Sequence, residues 1–460
     1  MSADAVAAGR TWASGRGWLG WPASWLIAGL TAVGLGVLAN AFGPVAARHP
    51  AATAAAVTLF ALHGAVFVAV IRTVDWLERE PWPLLAAAAV WGGVVASSNA
   101  LRANMALESI LVKVSPLAFV RDWAAAIEGP TNEELLKTLG IVAIVLLARP
   151  YVNSILDGVI YGAFVGLGFQ EVENVIYALN AVGQAGTDTL TPVWQTFFVR
   201  GLAAGLWSHT VYSAIAGAGV AYAVLRTNRS WARRLAVALA ALLVAWAGHF
   251  LWNSPLLGTL PLIVAMLAKG VLILGAFVVL LRLARRGEFE ALSSRLAAPH
   301  DPALATPGEI AALRLHRTRR LARWNAWTAA GAPAARAVKR LQRTQADLAV
   351  ALRDGGPDDV ARRLSDVRVA RDRLWRLGIT EADGTRRSTA VGWLSLVLPL
   401  GALVIPLFVV APLVLFLLGV QRARRRRVHA DPRLRTALWI SVVFSAVWLV
   451  DVLAQVAQIR

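Results

Sequence analysis

Two adjacent glutamates, Glu133 and Glu134, with Lys137 close behind, stand in GPTNEELLK at the head of the apolar run TLGIVAIVLLA. An ionisable group in a hydrocarbon setting is costly and marks function by default. Further on, Glu171, Glu173 and Asn174 interrupt DGVIYGAFVGLGFQEVENVIY, His209 sits in LWSHTVYSAIAG, and His249 with Asn253 closes AWAGHFLWNS. Carboxylates and imidazoles around trapped water are the parts of a hydrolytic site. A glutamate takes a proton from water, a histidine holds or shares it, and an amide faces the developing oxyanion. The same side chains also suit a divalent metal such as zinc on His209, His249 and Glu173, with an open position for water and Glu133 or Glu134 as base. There is no HExxH motif and no Ser-His-Asp arrangement, and the lack of cysteine excludes thiolate nucleophiles, disulfides and Cys-ligated metal. Metal-bound and metal-free versions both stay open on the sequence.

The local signals say how these groups are held. Pro130 suits a first helical turn, and Thr131 with Glu134 has capping-box spacing, so a helix is expected from about 130 with both glutamates in its first turn and Lys137 paired to Glu133. Glu171 and Glu173 point to different faces, so at most one of them shares a cavity with Glu134; His249 and Asn253, four residues apart, share a face. Gly158, Gly162, Gly166 and Gly168 form a small-residue face for close helix approach. Asp157, near the cytoplasmic end of its helix, suits either a snorkelled interfacial role or a functional one. His49, His63, His300, His316 and His429 have no acidic company and read as structural or solvated.

These elements need a membrane. Of 460 residues 57% are hydrophobic and only 16% charged, and the mean hydropathy is +0.58. That composition is a multi-pass membrane protein's, all-α, a transmembrane helix bundle. About eight core helices are expected, near 22–42, 53–71, 83–101, 130–148, 152–179, 197–225, 233–252 and 256–281. The net charge of +19 gathers beside these spans, which points to anionic lipid and the positive-inside rule rather than to nucleic acid. Arg72, Arg79, Arg149, Arg226 and Arg233 fall on the side of a cytoplasmic N-terminus (1–20), against Arg48, Arg102 and Lys113 outside. The first span reads as retained rather than as a cleaved signal peptide. The transmembrane region (21–284, motif core 120–260) is followed by a basic helical cytoplasmic insert (285–390). TPGE at 306–309 resembles a capping box there, and two helices meet around DGGPDD. One or two further apolar segments fill 391–460. The stretch 391–418, with Pro399, Pro406 and Pro412, either crosses once or re-enters and returns, since the basic loop after it should stay inside.

In this topology Glu133, Glu134, Glu173, His209, His249 and Asn253 can meet in a wet cavity in the outer half of the membrane. EELLK at 133–137, FQEVE at 169–173, His209 and HFLWN at 249–253 resemble the EExxK, FxxxE, H and HxxxN elements of the PrsW-type intramembrane proteases, relatives of the CAAX prenyl endopeptidases. The resemblance covers about 120–260. It implies a membrane-embedded peptidase, often described as a metalloprotease, that makes the site-1 cut in a membrane-anchored substrate, typically an anti-sigma factor, in the cell membrane. By the same resemblance Glu133 and Glu134 are the catalytic pair, Lys137 their electrostatic partner, Glu173, His209 and His249 complete the site, and Asn253 is an orienting or oxyanion group. The competing readings are a proton- or ion-coupled transporter, which would use buried acids and histidines as a relay, and a membrane scaffold.

Overall fold

The computed structural model describes residues 22–383 apart from 187–188, 205–207 and 300. The chain divides into two compact units, Met1–Ser388 and Thr389–Arg460. The apolar segments expected in 391–460, the N-terminal stretch 1–20, and His300 and His429 lie outside the described residues.

Every regular element among the described residues is a helix. The order is α1 (Pro22–Arg48), α2 (Pro50–Val74), α3 (Trp82–Val90), a π-helical stretch (Trp91–Ala96), α4 (Ser97–Val114), α5 (Leu117–Leu147), α6 (Ile155–Gln184), α7 (Leu190–Thr196), a second π-helical stretch (Phe197–Ala204), α8 (His209–Leu225), α9 (Trp231–Asn253), α10 (Leu262–Ala297), α11 (Pro307–Leu313), α12 (His316–Asp354) and α13 (Pro357–Arg376). Six helical segments are long and apolar enough to cross a membrane: Ala23–Arg48, Pro50–Val74, Trp82–Val114, Ile155–Gln184, Trp231–Asn253 and Val264–Ala297. The protein is a multi-pass helical membrane protein, and α6 is its axis. The most apolar stretch of α6 is 78% buried, against 6–22% for those of α1, α2, α9 and α10. It packs on α8, α2, α3 and the first π-helical stretch. The small face expected on α6 is used for this, since a methyl at Gly162 or Gly166 would run into the backbone carbonyls of Ser213 or His209 on α8.

Two of the differences from the sequence expectation bear on the site. The helix expected from 130 starts at Leu117 and runs through Pro130 to Leu147. Arg121, Asp122 and Glu128 lower the hydropathy of its first turns and hide them. Pro130 has no N–H for the carbonyl of Ala126, yet packing against α4 and α9 carries the helix through. Thr131 and Glu134 are therefore interior residues and make no cap; Thr131 Oγ1 accepts instead from Trp246 Nε1 at 3.2 Å. Both glutamates lie about four turns into α5, away from its dipole end. The span expected over 197–225 is split, and His209 opens α8.

The insert has its own apolar core, Leu292, Leu296, Leu304, Leu313, Val338, Leu341, Leu348, Val367 and Leu374, joined by Leu77 from the α2–α3 loop. The capping box of α11 is present, with Thr306 Oγ1 accepting from Glu309 N and Glu309 Oε2 from Thr306 N, both at 3.2 Å. The hairpin expected around DGGPDD is α12 and α13, and α12 kinks at Gly331, whose φ of +73° is left-handed. Glu309 and Arg371, each about 1% exposed, form a bidentate pair in the core. Glu309 also accepts from Gln345 Nε2 at 2.9 Å and from Ala382 N at 3.1 Å. The loop 75–80 ties insert to bundle. The Arg319 guanidinium stacks 3.9 Å over Trp76, Arg343 donates to Trp76 O at 2.9 Å, and Glu78 accepts from Arg353 at 2.5 Å and from Asn153 Nδ2, just before α6, at 3.1 Å. Burial pushes the Asp75 carboxyl of this loop up to about 6, against the pull of Arg72. On α12 burial, helped by Arg319, Arg320 and Arg323, lowers His316 to about 4.

Candidate active site

The side chains meet where α5, α6, α8 and α9 converge, around a cavity of about 110 Å³ lined by Glu133, Glu173, His209, Tyr212, His249 and Asn253 among others. One face of α5 carries Glu133, Glu134 and Lys137, all buried. Lys137 pairs with Glu134 at 2.5 Å, not with Glu133 as its spacing suggested, and its Nζ also donates to His209 Nδ1 at 3.0 Å. Within one helix both i+3 and i+4 are in reach, and the imidazole on α8 selects between them.

Hydrogen-bond partners fix both tautomers. An ammonium can only donate, so His209 Nδ1 accepts, and its Nε2–H faces Glu173 Oε2 at 3.0 Å. The Asn253 amide nitrogen donates to Ala125 O at 3.1 Å, which sets its orientation, and to His249 Nε2 at 3.2 Å. His249 Nδ1–H therefore donates to Glu134 Oε1 at 2.8 Å. Both rings are neutral, each with a carboxylate behind it and a lone pair in front. The two accepting nitrogens both lie near one atom, Glu133 Oε2, at 3.8 Å from His209 Nδ1 and 3.9 Å from His249 Nε2. Glu133 Oε2 is buried and has no hydrogen-bond partner.

Three carboxylates, Glu133, Glu134 and Glu173, face two cations, Lys137 and Arg200. Arg200, on the second π-helical stretch, is bound to Glu173 and to Asn174 Oδ1, and its guanidinium lies 3.8 Å over Tyr177. Glu134 and Glu173 take the two cations, and Glu133 keeps one buried oxygen without a hydrogen-bond partner. Among the described residues the group spaced for a metal is Glu133, His209 and His249, with one ligand atom from each and all within 4.8 Å. Tetrahedral zinc with bonds of about 2.0–2.1 Å sets its ligand atoms roughly 3.4 Å apart, so these pairs are slightly open. The donor chemistry fits a cation: an orphan carboxylate oxygen, two lone pairs, and a carboxylate on the far nitrogen of each ring. Loading it requires Lys137 and Asn253 to release the two ring nitrogens. Glu173, expected among the ligands, stands instead behind His209.

All seven residues expected at the site are brought together. The Asn253 amide nitrogen is already engaged twice, by Ala125 O and His249 Nε2. Glu171 turns away to His63, which bonds Glu171 Oε1 at 2.9 Å and Gly201 O at 3.0 Å. His63 thus has the acidic company that the sequence did not show. Sequence reasoning missed Asn104 on α4, whose Nδ2 donates to Glu133 Oε1 at 3.1 Å while Asn132 Nδ2 holds its Oδ1 at 3.0 Å. It also missed Tyr212, stacked on His249 with centroids 5.2 Å apart and a buried hydroxyl without a partner. The available signal was an amide in an outer helix end, ALRANMALES, too common alone to single out.

A buried cluster of acids and neutral imidazoles around a cavity, inside a multi-pass helical bundle, is compatible with a membrane-embedded hydrolase. Residues 80–283, from the α2–α3 loop into α10 and so including every site helix, match the family described as PrsW family intramembrane metalloprotease. Over that region the chain is a membrane-embedded peptidase. No curated protein and no solved structure matches it.

Proposed function

We propose that the protein is an intramembrane endopeptidase of the cell membrane that cuts a membrane-anchored protein near the outer face, with Glu133, Glu134, Lys137, Glu173, His209, His249 and Asn253 as its working residues. The observation that carries this reading is Glu133 Oε2, a buried carboxyl oxygen without a partner, set within 4 Å of a ring nitrogen of each imidazole at a cavity. A water there donates to Glu133, which takes its proton as the oxygen attacks the substrate carbonyl and returns it to the leaving nitrogen. Glu134 and Glu173 hold the two tautomers, Arg200 holds Glu173, and Asn104 aims Glu133. Lys137 supplies positive potential to a site rich in carboxylates. Glu133, His209 and His249 are the residues that would hold a divalent metal, which when bound supplies Lewis acidity and a more acidic water.

Orientation follows from charge. The basic insert meets α6 at its Asp157 end, and Glu173 is 16 residues further on, about 24 Å along the axis. A cytoplasmic insert and N-terminus place the cavity toward the outer face. Such a site suits a single-span anti-sigma factor cut outside the cytoplasm, the substrate that the resemblance implies.

The test uses the full-length protein in proteoliposomes with a tagged single-span substrate. The wild type is expected to release a shortened product, and Glu133→Gln and Glu134→Gln to release none. Flux of an ion without any product would establish a transporter instead. Metal analysis with cleavage in a strong chelator decides between the two versions of the site.

A further inference from the structure

Five residues before Glu133 on the same helix, Glu128 lines the same cavity, and its Oε2 is buried without a hydrogen-bond partner. No ion pair of Glu128 is present among the described residues. The charged side chain that bears on it is Glu108 of α4, a second acid. Arg200, the cation that also lines the cavity, is committed to Glu173, Asn174 and the Tyr177 ring. Glu128 is therefore a carboxylate facing the substrate cavity beside another acid, with no cation of its own. Glu128 is half-buried, and its buried oxygen carries a desolvation cost that a donor would offset. The mechanism does not use it.

We infer that Glu128 is the subsite for a basic side chain, lysine or arginine, of the peptide being cut. This rests on the peptidase reading above and adds the substrate chemistry to it. Glu128 precedes Glu133 by five residues, about 7.5 Å along the helix axis. Extended peptide advances about 3.3 Å per residue, so the basic residue lies about two positions from the scissile bond. Its ammonium or guanidinium donates to the Glu128 carboxylate and offsets the repulsion from Glu108.

The experiment uses the full-length protein in proteoliposomes and a fluorogenic single-span peptide whose positions within three residues of the cleaved bond are set in turn to Lys, Gln or Glu. At one position two residues away the wild type is expected to favour Lys over Gln by about tenfold in kcat/KM, the scale of one charge-assisted hydrogen bond. Glu128→Gln should flatten that ranking at the same position, and Glu128→Lys should invert it toward Glu. Cleavage of the whole series at one rate, or an unchanged ranking in Glu128→Gln, overturns the subsite and leaves the peptidase standing. No cleavage of any peptide by the wild type overturns both.

Discussion

The bundle and the insert each bury a carboxylate among cations, and they treat it in opposite ways. In the insert, Glu309 takes both arms of Arg371, the Gln345 amide and two backbone N–H groups, so each of its oxygens is satisfied. In the bundle, Glu133 has one oxygen tied to Asn104 and the other bare, 3.8–3.9 Å from two ring nitrogens whose lone pairs are taken by Lys137 and Asn253. Complete satisfaction is what a structural pair needs to offset its desolvation, whereas an acceptor left bare beside other acceptors waits for a proton donor or a cation. The difference separates a buried charge that holds a fold from one kept for chemistry.

The contrast breaks most readily at Glu133. Glu133→Gln should lower turnover by about 10²–10⁴, the usual worth of a positioned base, while leaving the thermal midpoint of the purified protein unchanged or raised. A normal rate with a lowered midpoint would make Glu133 structural. The reverse experiment is Arg371→Met, which strands Glu309 and should cost the insert about 3–5 kcal/mol, read as accelerated proteolysis of residues 285–383 in the full-length protein. Asn104→Ala tests how Glu133 is aimed. With positioning lost and binding intact, kcat should fall about ten- to a hundredfold at constant KM, a loss of roughly 1.4–2.7 kcal/mol; an equal change in KM would argue against it. The smallest effect is expected at His316. Its folded value of about 4 lies below the ordinary 6.5, so the unfolded chain binds more protons between those values. The insert is then at full stability above pH 6.5 and loses it as pH falls toward 4. Proteolysis rates across that window, with His316→Gln as the flat control, measure the effect, which partial exposure makes modest.

Much of the fold was legible because hydrophobic runs of membrane length have few alternative readings. The spans near 53–71, 152–179 and 233–252 correspond to α2, α6 and α9 with ends a few residues away. Where charges were mixed into the run, the reading failed. Arg121, Asp122 and Glu128 concealed the first turns of α5 and made Pro130 and Thr131 look like a helix start. The clustering of the seven site residues was legible from order and depth, because ionisable groups in apolar helices are few. Pairings were not, since Lys137 and Glu134 are matched by His209 from another helix, and Glu171 by His63 from 108 residues earlier. Asn104 and Tyr212 were invisible for the same reason: an amide or a phenol gains its role only from the neighbour that tertiary packing supplies.

Gly166 lies where α6 touches the carbonyl of His209. The gap between the two helices at the level of the reacting groups is gauged by one absent carbon. Restoring it would act as a shim, driving the backbone of His209 outward and widening its reach to Glu133 and Glu173 together, without altering any group that handles a proton.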